Sequence, residues 1–174
     1  MRANINVGMT RETILQHRFQ QKITEPCNAG PTLYVALTMR SEIEAISPLV
    51  DQLMRLIKAG HCVPGDECDV EIALREALAN AVLHGNKQDI RKKVHVSCRI
   101  YPGRELSIVI QDEGNGFDPA KIPDPTAVEN INSENGRGIY LMKTFMDAVH
   151  FDHGGSELRL QKGFNWRPDW SLQK

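Results

Sequence analysis

The chain has 174 residues, of which 41% are hydrophobic and 25% charged, and its formal net charge at pH 7 is −1. This length fits one domain with room for a small-molecule pocket, and the near-zero charge gives no electrostatic reason to expect direct nucleic-acid binding. The sequence has no apolar run long enough to span a membrane and no signal pattern at its N-terminus, so we expect a cytoplasmic protein without a membrane segment.

Four cysteines lack the spacing of a metal or redox site. No CxxC pair occurs, and no Cys/His cluster has zinc-finger periodicity. We therefore expect reduced thiols at Cys27, Cys62, Cys68 and Cys98.

Composition divides the chain into three parts. Residues 1–31 have few apolar anchors and end in Pro26, Gly30 and Pro31, which predicts an N-terminal arm, flexible or ordered by a partner. Residues 32–163 are predicted to form the domain, and residues 164–174 a C-terminal tail.

The domain begins with a predicted strand and a helix. Leu33–Met39 is rich in β-prone residues. The start of the helix that follows has two equal interpretations. One is a capping box of Ser41 and Glu44, and the other is an N-cap at Ser47 with Pro48 in the first helical position.

Glycines mark the ends of the first two helices, at Gly60 and Gly85, and Asp66 is the expected N-cap of the second. Beyond them we expect two strands joined by a Pro102-Gly103 turn, a long loop rich in Gly and Pro, a helix, and two last strands. Their predicted bounds are Val94–Tyr101, Leu106–Asp112, Gly114–Gly138, Ile139–Val149, His150–Asp152 and Glu157–Lys162.

Glu76 and Asn80 lie four residues apart in the second predicted helix, and therefore on one face about a turn apart. Among apolar neighbours, a carboxylate and a carboxamide each need a partner. Either neighbouring backbone satisfies them, or they address one ligand, with Glu76 as a general base and Asn80 as an oxygen ligand of Mg²⁺.

The run Asp112-Glu113-Gly114-Asn115-Gly116-Phe117 ends an apolar strand. A DxGxG run alone is typical of a tight turn. A carboxylate at a strand end can also accept a hydrogen bond from an exocyclic amine, and glycines allow a flat base such as adenine to approach the backbone.

Gly136-Arg137-Gly138 stands directly before a predicted helix. It is either a flexible turn or a phosphate site that uses free backbone N–H groups, the positive end of the helix dipole and the charge of Arg137. The sequence contains neither a GxxxxGK[ST] loop nor a GxGxxG run after the first strand.

In this order, the three motifs resemble the GHKL ATPase superfamily, whose Bergerat fold is shared by gyrase, Hsp90, histidine kinases and MutL. The N-box matches at Glu76, Asn80 and Ala81. The two glycine boxes match at Asp112, Gly114, Gly116, Gly136 and Gly138.

Over roughly residues 32–163, the chain resembles the small anti-sigma factor serine/threonine kinases of the RsbW and SpoIIAB type. The runs that carry this resemblance are His84–Lys87, Asp112–Pro119, Ile122–Thr126 and Gly136–Met142. It implies an α/β (α+β) two-layer sandwich with a mixed, mainly antiparallel sheet, covered on one face by helices, and ATP bound between the helices and a lid.

The resemblance also implies roles for individual residues. Asp112 reads the adenine amine, Asn80 holds Mg²⁺ and Glu76 activates the attacking serine hydroxyl. The turn from Gly136 to Gly138 wraps the phosphates, with further phosphate contacts from Arg137 and Lys87.

The sequence departs from the resemblance in the arm of residues 1–31, which is longer than the minimal module needs, and near the final strand. Many members carry a Thr or Ser on the final strand that helps the aspartate hold the base through water, and Ser156 is the nearby candidate. His84, at the helix end, is expected to be a helix-terminal or packing residue without a catalytic role.

The implied function is phosphorylation of a serine on a STAS-domain antagonist together with sequestration of a sigma factor. Two alternatives remain open: a nucleotide-binding partner-switch module without turnover, and the catalytic domain of a histidine kinase. The apolar run around Leu33–Leu37 is compatible with a homodimer.

Overall fold

The computed structural model describes residues 33–101, 105–117 and 137–163. Five strands and three α-helices occur in these ranges. They are β1 (Leu33–Arg40), α1 (Ile46–Gly60), α2 (Glu67–Asn80), β2 (Lys93–Tyr101), β3 (Glu105–Asp112), α3 (Arg137–Phe145), β4 (Ala148–Asp152) and β5 (Glu157–Gly163). The predicted N-terminal arm, C-terminal tail and Pro102-Gly103 turn lie outside the described residues, as does most of the Gly114–Gly138 loop.

The strands form one sheet in the order β1-β2-β3-β5-β4, and each described pairing is antiparallel. The register aligns Leu37, Val96, Ile110 and Leu158 in one row across four strands. All four are buried, whereas the alternate positions of these strands are mostly polar or partly exposed. One face of the sheet therefore carries the core, and the expected mainly antiparallel sheet is confirmed.

The three helices complete a second layer. α2 contacts both α1 and α3. Buried side chains of all three helices join the inward-facing strand residues in one apolar cluster, with Leu53, Leu74 and Met142 fully buried. No described helix has the length and apolarity that crossing a membrane requires.

α1 begins differently from both interpretations of the sequence. A 3₁₀ turn at Ile43–Ala45 leads directly into α1, which starts at Ile46, and no side chain caps either element. The buried Ser41 hydroxyl has no hydrogen-bond partner among the described residues, while the Ser47 hydroxyl accepts a bond from Arg75 Nη1 (3.1 Å). Both predicted caps are wrong because the 3₁₀ turn already supplies the start of the helical hydrogen-bond pattern.

α2 starts after Asp66, as expected, but without a side-chain cap, and five residues of π-helix, Ala81–Gly85, extend it. The N–H of Asn86 donates to the carbonyl of Ala81 (2.8 Å), which is the five-residue closure of a π turn. Such insertions in helices often occur at functional sites, and this one begins directly after Asn80.

α3 is shorter at its C-terminal end than the predicted Ile139–Val149 helix. It ends at Phe145, whose carbonyl accepts a hydrogen bond from Lys162 Nζ (2.9 Å). Ala148 and Val149 belong to β4, where they pair with Gln161 and Leu160. The helix stops because Lys162, which is distant in sequence, caps its end and the next residues complete the sheet.

Candidate functional site

The first group of site residues lies where α2 meets the start of α3. A Cβ added to Gly138, the second residue of α3, would lie 2.6 Å from Glu76 Oε2 and 3.5 Å from Asn80 Nδ2. The carboxylate and the carboxamide therefore both face the N-terminal turn of α3, and only glycine fits between them without displacing the Glu76 side chain. The positive end of the α3 dipole points to the same place.

The second group lies at the end of β3. Leu106, Ile108 and Ile110 alternate inward into the core, and Asp112 occupies the next inward position. A Cβ on Gly85 would lie 2.5 Å from Asp112 Oδ2, and a Cβ on Gly114 would overlap the Gly85 carbonyl. The backbone of the π-helix that follows α2 thus packs against the carboxylate at the end of β3.

Burial raises the pKa of the Asp112 carboxyl, while a hydrogen bond from the Gly114 N–H (2.8 Å to Oδ1) and the charge of Lys92 oppose that rise. The carboxylate is half-buried, and the bond from Gly114 engages Oδ1. An acceptor that is partly desolvated and held in place suits recognition of a neutral donor group.

A third contact joins the end of the DxGxG run to the turn before β5. Gly116 has a φ of +70°, and a Cβ there would overlap the Gly154 carbonyl. The Phe117 N–H donates to that carbonyl (2.8 Å), and its ring meets Phe151 edge to face at 5.3 Å. These contacts place Gly116 and the β5 turn against each other.

A model of the histidine kinase-like ATPase domain family matches residues 39–162. The chain belongs to this family. The match includes the three contact regions around Glu76, Asp112 and Gly116, and it confirms the resemblance that the motifs indicated.

Curated relatives include the serine-protein kinase RsbW of Bacillus subtilis (strain 168), 36% identical over 104 residues, or 56% of this chain and 64% of that protein. The RsbW of Bacillus licheniformis is 39% identical over 87 residues, 47% and 54% of the two chains. The anti-sigma F factor of Clostridium botulinum (strain Eklund 17B / Type B) is 36% identical over 104 residues, 56% and 71%. The chain spans less than two thirds of the length of these two RsbW proteins.

A histidine kinase-like ATPase domain implies ATP as the ligand, and the residues present fit it. Gly85, Gly114 and Gly138 let the Asp112 carboxylate, the Gly85 carbonyl and the Glu76 carboxylate approach the backbone more closely than a Cβ would allow. Among the described residues, no cluster of three or more His, Cys, Asp or Glu could hold a metal ion by itself.

The basic residues predicted near the phosphates lie on the surface. Lys87 is exposed, in a left-handed conformation (φ +55°), two residues after Gly85. Arg137 is the exposed first residue of α3, so it belongs to the helix and does not precede it. His84 is exposed within the π segment, and Gly136 lies outside the described residues.

Ser156 lies beside Asp112 through its backbone. Its carbonyl accepts the Asp112 N–H (3.0 Å), while its hydroxyl donates to the His153 carbonyl (3.1 Å) within the turn. The position agrees with the expected location next to the aspartate. A role of its side chain toward a base stays a prediction.

Sequence reasoning missed Asn86 as a separate residue of interest. It is one of two buried polar residues in the described part of the chain, and both ends of its amide are bonded to backbone. The sequence alone shows it only as a polar turn residue after a glycine, a pattern that normally indicates exposure.

The cysteines behave as structural thiols where they are described. Cys62 and Cys98 are buried and Cys68 is exposed, and all three are free. Burial raises the pKa of both buried thiols.

Proposed function

We propose that the chain is a Mg²⁺- and ATP-dependent protein kinase that phosphorylates a serine or threonine of a STAS-domain antagonist and also binds a sigma factor. The observation that carries this proposal is the position of Glu76. Its carboxylate shares the N-terminal turn of α3 with Asn80. A domain that only bound nucleotide would need Asn80 and Asp112, but it would have no chemical use for a carboxylate there.

In the proposed reaction, Glu76 accepts the proton of the attacking hydroxyl as the γ-phosphoryl group moves from ATP to that oxygen. The Asp112 carboxylate accepts a hydrogen bond from the adenine amine. The first turn of α3, with Arg137, and the exposed Lys87 provide positive charge for the phosphates.

Asn80 would hold Mg²⁺ through its carboxamide oxygen, with phosphate and water as the other ligands. The bound ion would neutralise charge on the phosphates. Ser156 is proposed to support Asp112 at the base, and Gly114, Gly116, Gly136 and Gly138 to let the nucleotide approach the backbone.

The names of the relatives support the partner side of the proposal, since they describe serine-protein kinases and an anti-sigma factor. Such partners are cytoplasmic, which is the location that we propose for this chain. A homodimer through the β1 side of the sheet is part of the same proposal, since β1 is an edge strand of the described sheet.

The test compares wild type with Glu76→Gln and with Glu71→Gln, a control on the same helix whose carboxylate pairs with Arg75 (2.9 Å). Each protein is incubated with Mg·ATP and the STAS-domain proteins of the same genome, phosphoserine and phosphothreonine are located by mass spectrometry, and ATP affinity is measured by calorimetry. We expect phosphorylation by wild type and Glu71→Gln, its loss in Glu76→Gln by at least about 100-fold, and similar ATP affinity in all three.

Equal phosphorylation by wild type and Glu76→Gln would remove Glu76 from the mechanism. ATP binding without phosphorylation of any candidate would favour the partner-binding module. Labelling of a histidine would favour the histidine kinase alternative.

A further inference from the structure

Asn86, Lys93 and Glu113 form a closed ring of hydrogen bonds, called here the Asn86 clasp. Asn86 Nδ2 donates to the Lys93 carbonyl (2.9 Å), the Lys93 N–H donates to Glu113 Oε2 (2.9 Å), and the Glu113 N–H donates to Asn86 Oδ1 (2.9 Å). Asn86 is only 1% exposed. The ring therefore joins the turn after the π-helix to the start of β2 and the end of β3 through a buried side chain.

The clasp fixes the peptide that directly follows Asp112. On the other side, the Asp112 N–H donates to the Ser156 carbonyl (3.0 Å), and the Gly114 N–H holds Asp112 Oδ1 (2.8 Å). Two of these bonds come from distant parts of the chain, at Asn86 and Ser156, and the third is local. Of the three, only the bond from the Glu113 N–H uses a side chain from another segment, that of Asn86.

Asn86 also follows Gly85, the residue that touches the Asp112 carboxylate. Its own N–H closes the π turn on Ala81, and the next two residues, Lys87 and Gln88, are both left-handed, with φ of +55° and +56°. Two consecutive non-glycine residues in this conformation are strained and persist only where their surroundings hold them. A buried side chain anchored at both ends provides that support.

We propose that Asn86 is a positioning residue for base recognition: the clasp sets the distance between the Gly85 backbone and the Asp112 carboxylate, and so the selectivity of the site for a 6-amino purine. This inference rests on the proposed role of Asp112 toward adenine. Asn86 touches no nucleotide in this account, and it acts through Asp112 and Gly85.

The test measures the affinities of ATP and of purine riboside triphosphate, which lacks only the 6-amino group, by calorimetry on the full chain. Their ratio reports the hydrogen bond to the amine. We expect a ratio of about 10-fold to 100-fold in wild type, the range for a charged buried hydrogen bond, and a ratio near one in Asp112→Ala. Asn86→Ala should also bring the ratio toward one.

Asn86→Asp serves as the conservative variant, because it keeps an acceptor for the Glu113 N–H and replaces the donor to Lys93 with a carboxylate oxygen that faces the Lys93 carbonyl. We expect it to recover part of the wild-type ratio, and it provides a second measurement if Asn86→Ala does not fold. Ser41→Ala is the matched control, since Ser41 is the other buried polar residue in the described ranges and its hydroxyl has no partner. Its ratio should equal that of wild type.

A purely structural role would weaken binding of both nucleotides equally, and an unchanged ratio in Asn86→Ala or in folded Asn86→Asp would overturn the inference. Failure of the proposed function is a separate outcome. A wild-type protein that binds neither nucleotide, or binds both equally, would reject ATP recognition by Asp112 whatever the Asn86 variants do.

Discussion

Gly85 and Asp112 are in direct contact, 27 positions apart in the sequence: a Cβ on Gly85 would lie 2.5 Å from Asp112 Oδ2. Gly85 ends the π-helix and Asp112 ends β3. The contact brings the end of the helix that carries Glu76 and Asn80 to the carboxylate proposed to read the base.

Gly85→Ala is expected to weaken ATP binding. The added methyl group must displace the Asp112 carboxylate or separate α2 from β3, and overpacking of this kind costs about 1–3 kcal/mol. Denaturant unfolding should show that cost, and calorimetric titration with ATP should show the loss of the hydrogen bond to a displaced Asp112, about 1–3 kcal/mol. An unchanged affinity would mean that Asp112 does not contact the base in the observed conformation.

Gly138→Ala should affect phosphoryl transfer more than stability. The new methyl group would meet Glu76 Oε2, the end of a flexible side chain that can rotate away. We expect a change in unfolding free energy within about 0.5 kcal/mol and a fall in transfer rate of at least about 10-fold. Denaturant unfolding and single-turnover transfer would check the two parts, and a full transfer rate would show that Glu76 need not occupy its observed position.

Asp112→Asn should stabilise the nucleotide-free protein at neutral pH. Burial raises the folded-state pKa of Asp112, so its contribution to stability is fully present below the ordinary Asp pKa and is lost as pH rises through the raised value. Asparagine removes the cost of burying an ionised carboxylate, and it keeps an acceptor for the Gly114 N–H. The gain in melting temperature over wild type should therefore shrink as pH falls, while ATP affinity drops by about 1–3 kcal/mol.

Asp89→Asn is the control for this pH dependence. Hydrogen bonds from the Arg91 side chain and N–H lower the pKa of Asp89 to about 2. The ionised Asp89 carboxylate contributes to folding stability above the ordinary Asp pKa, and this contribution is lost as pH falls toward about 2. Asp89→Asn should therefore lower stability at neutral pH. The same sign for both variants at neutral pH would contradict the assigned cause.

Lys162→Met should destabilise the fold. Lys162 Nζ caps the Phe145 carbonyl at the end of α3 and lies 3.5 Å from Asp66 Oδ2 and 3.8 Å from Asp147 Oδ1, with its side chain only 13% exposed. Its loss should cost about 1–3 kcal/mol in denaturant unfolding. Lys143→Met, at an exposed position in the last turn of α3, should change stability by no more than about 0.5 kcal/mol.

The strands and the middle of each helix could be predicted because their periodicity records which face is buried. β3 is an example, since its nearly continuous apolar run leads directly to Asp112. The shared face of Glu76 and Asn80 could be predicted equally well, because helical spacing alone places the two residues on one face. The end of α3 could not be predicted, since it depends on Lys162, 17 positions beyond Phe145.

The burial of Asn86 also depends on contacts with residues that are distant in sequence. The sequence predicts an exposed side chain, because Asn86 is a turn residue after a glycine. Its burial arises because the π turn packs against the start of β2 and the end of β3. Ser41 is the reverse case, since a capping pattern in the sequence is not used by the folded chain.

The π-helix makes chain length itself a functional parameter of this domain. Loss of His84, which is exposed, would let the helix continue in ordinary α geometry, yet it would turn everything after it by about 100°. Gly85 would then face away from Asp112. The face of α2 that carries Glu76 and Asn80 would no longer be aligned with the end of β3. Evolution can therefore exchange side chains in this segment far more readily than it can shorten or lengthen it.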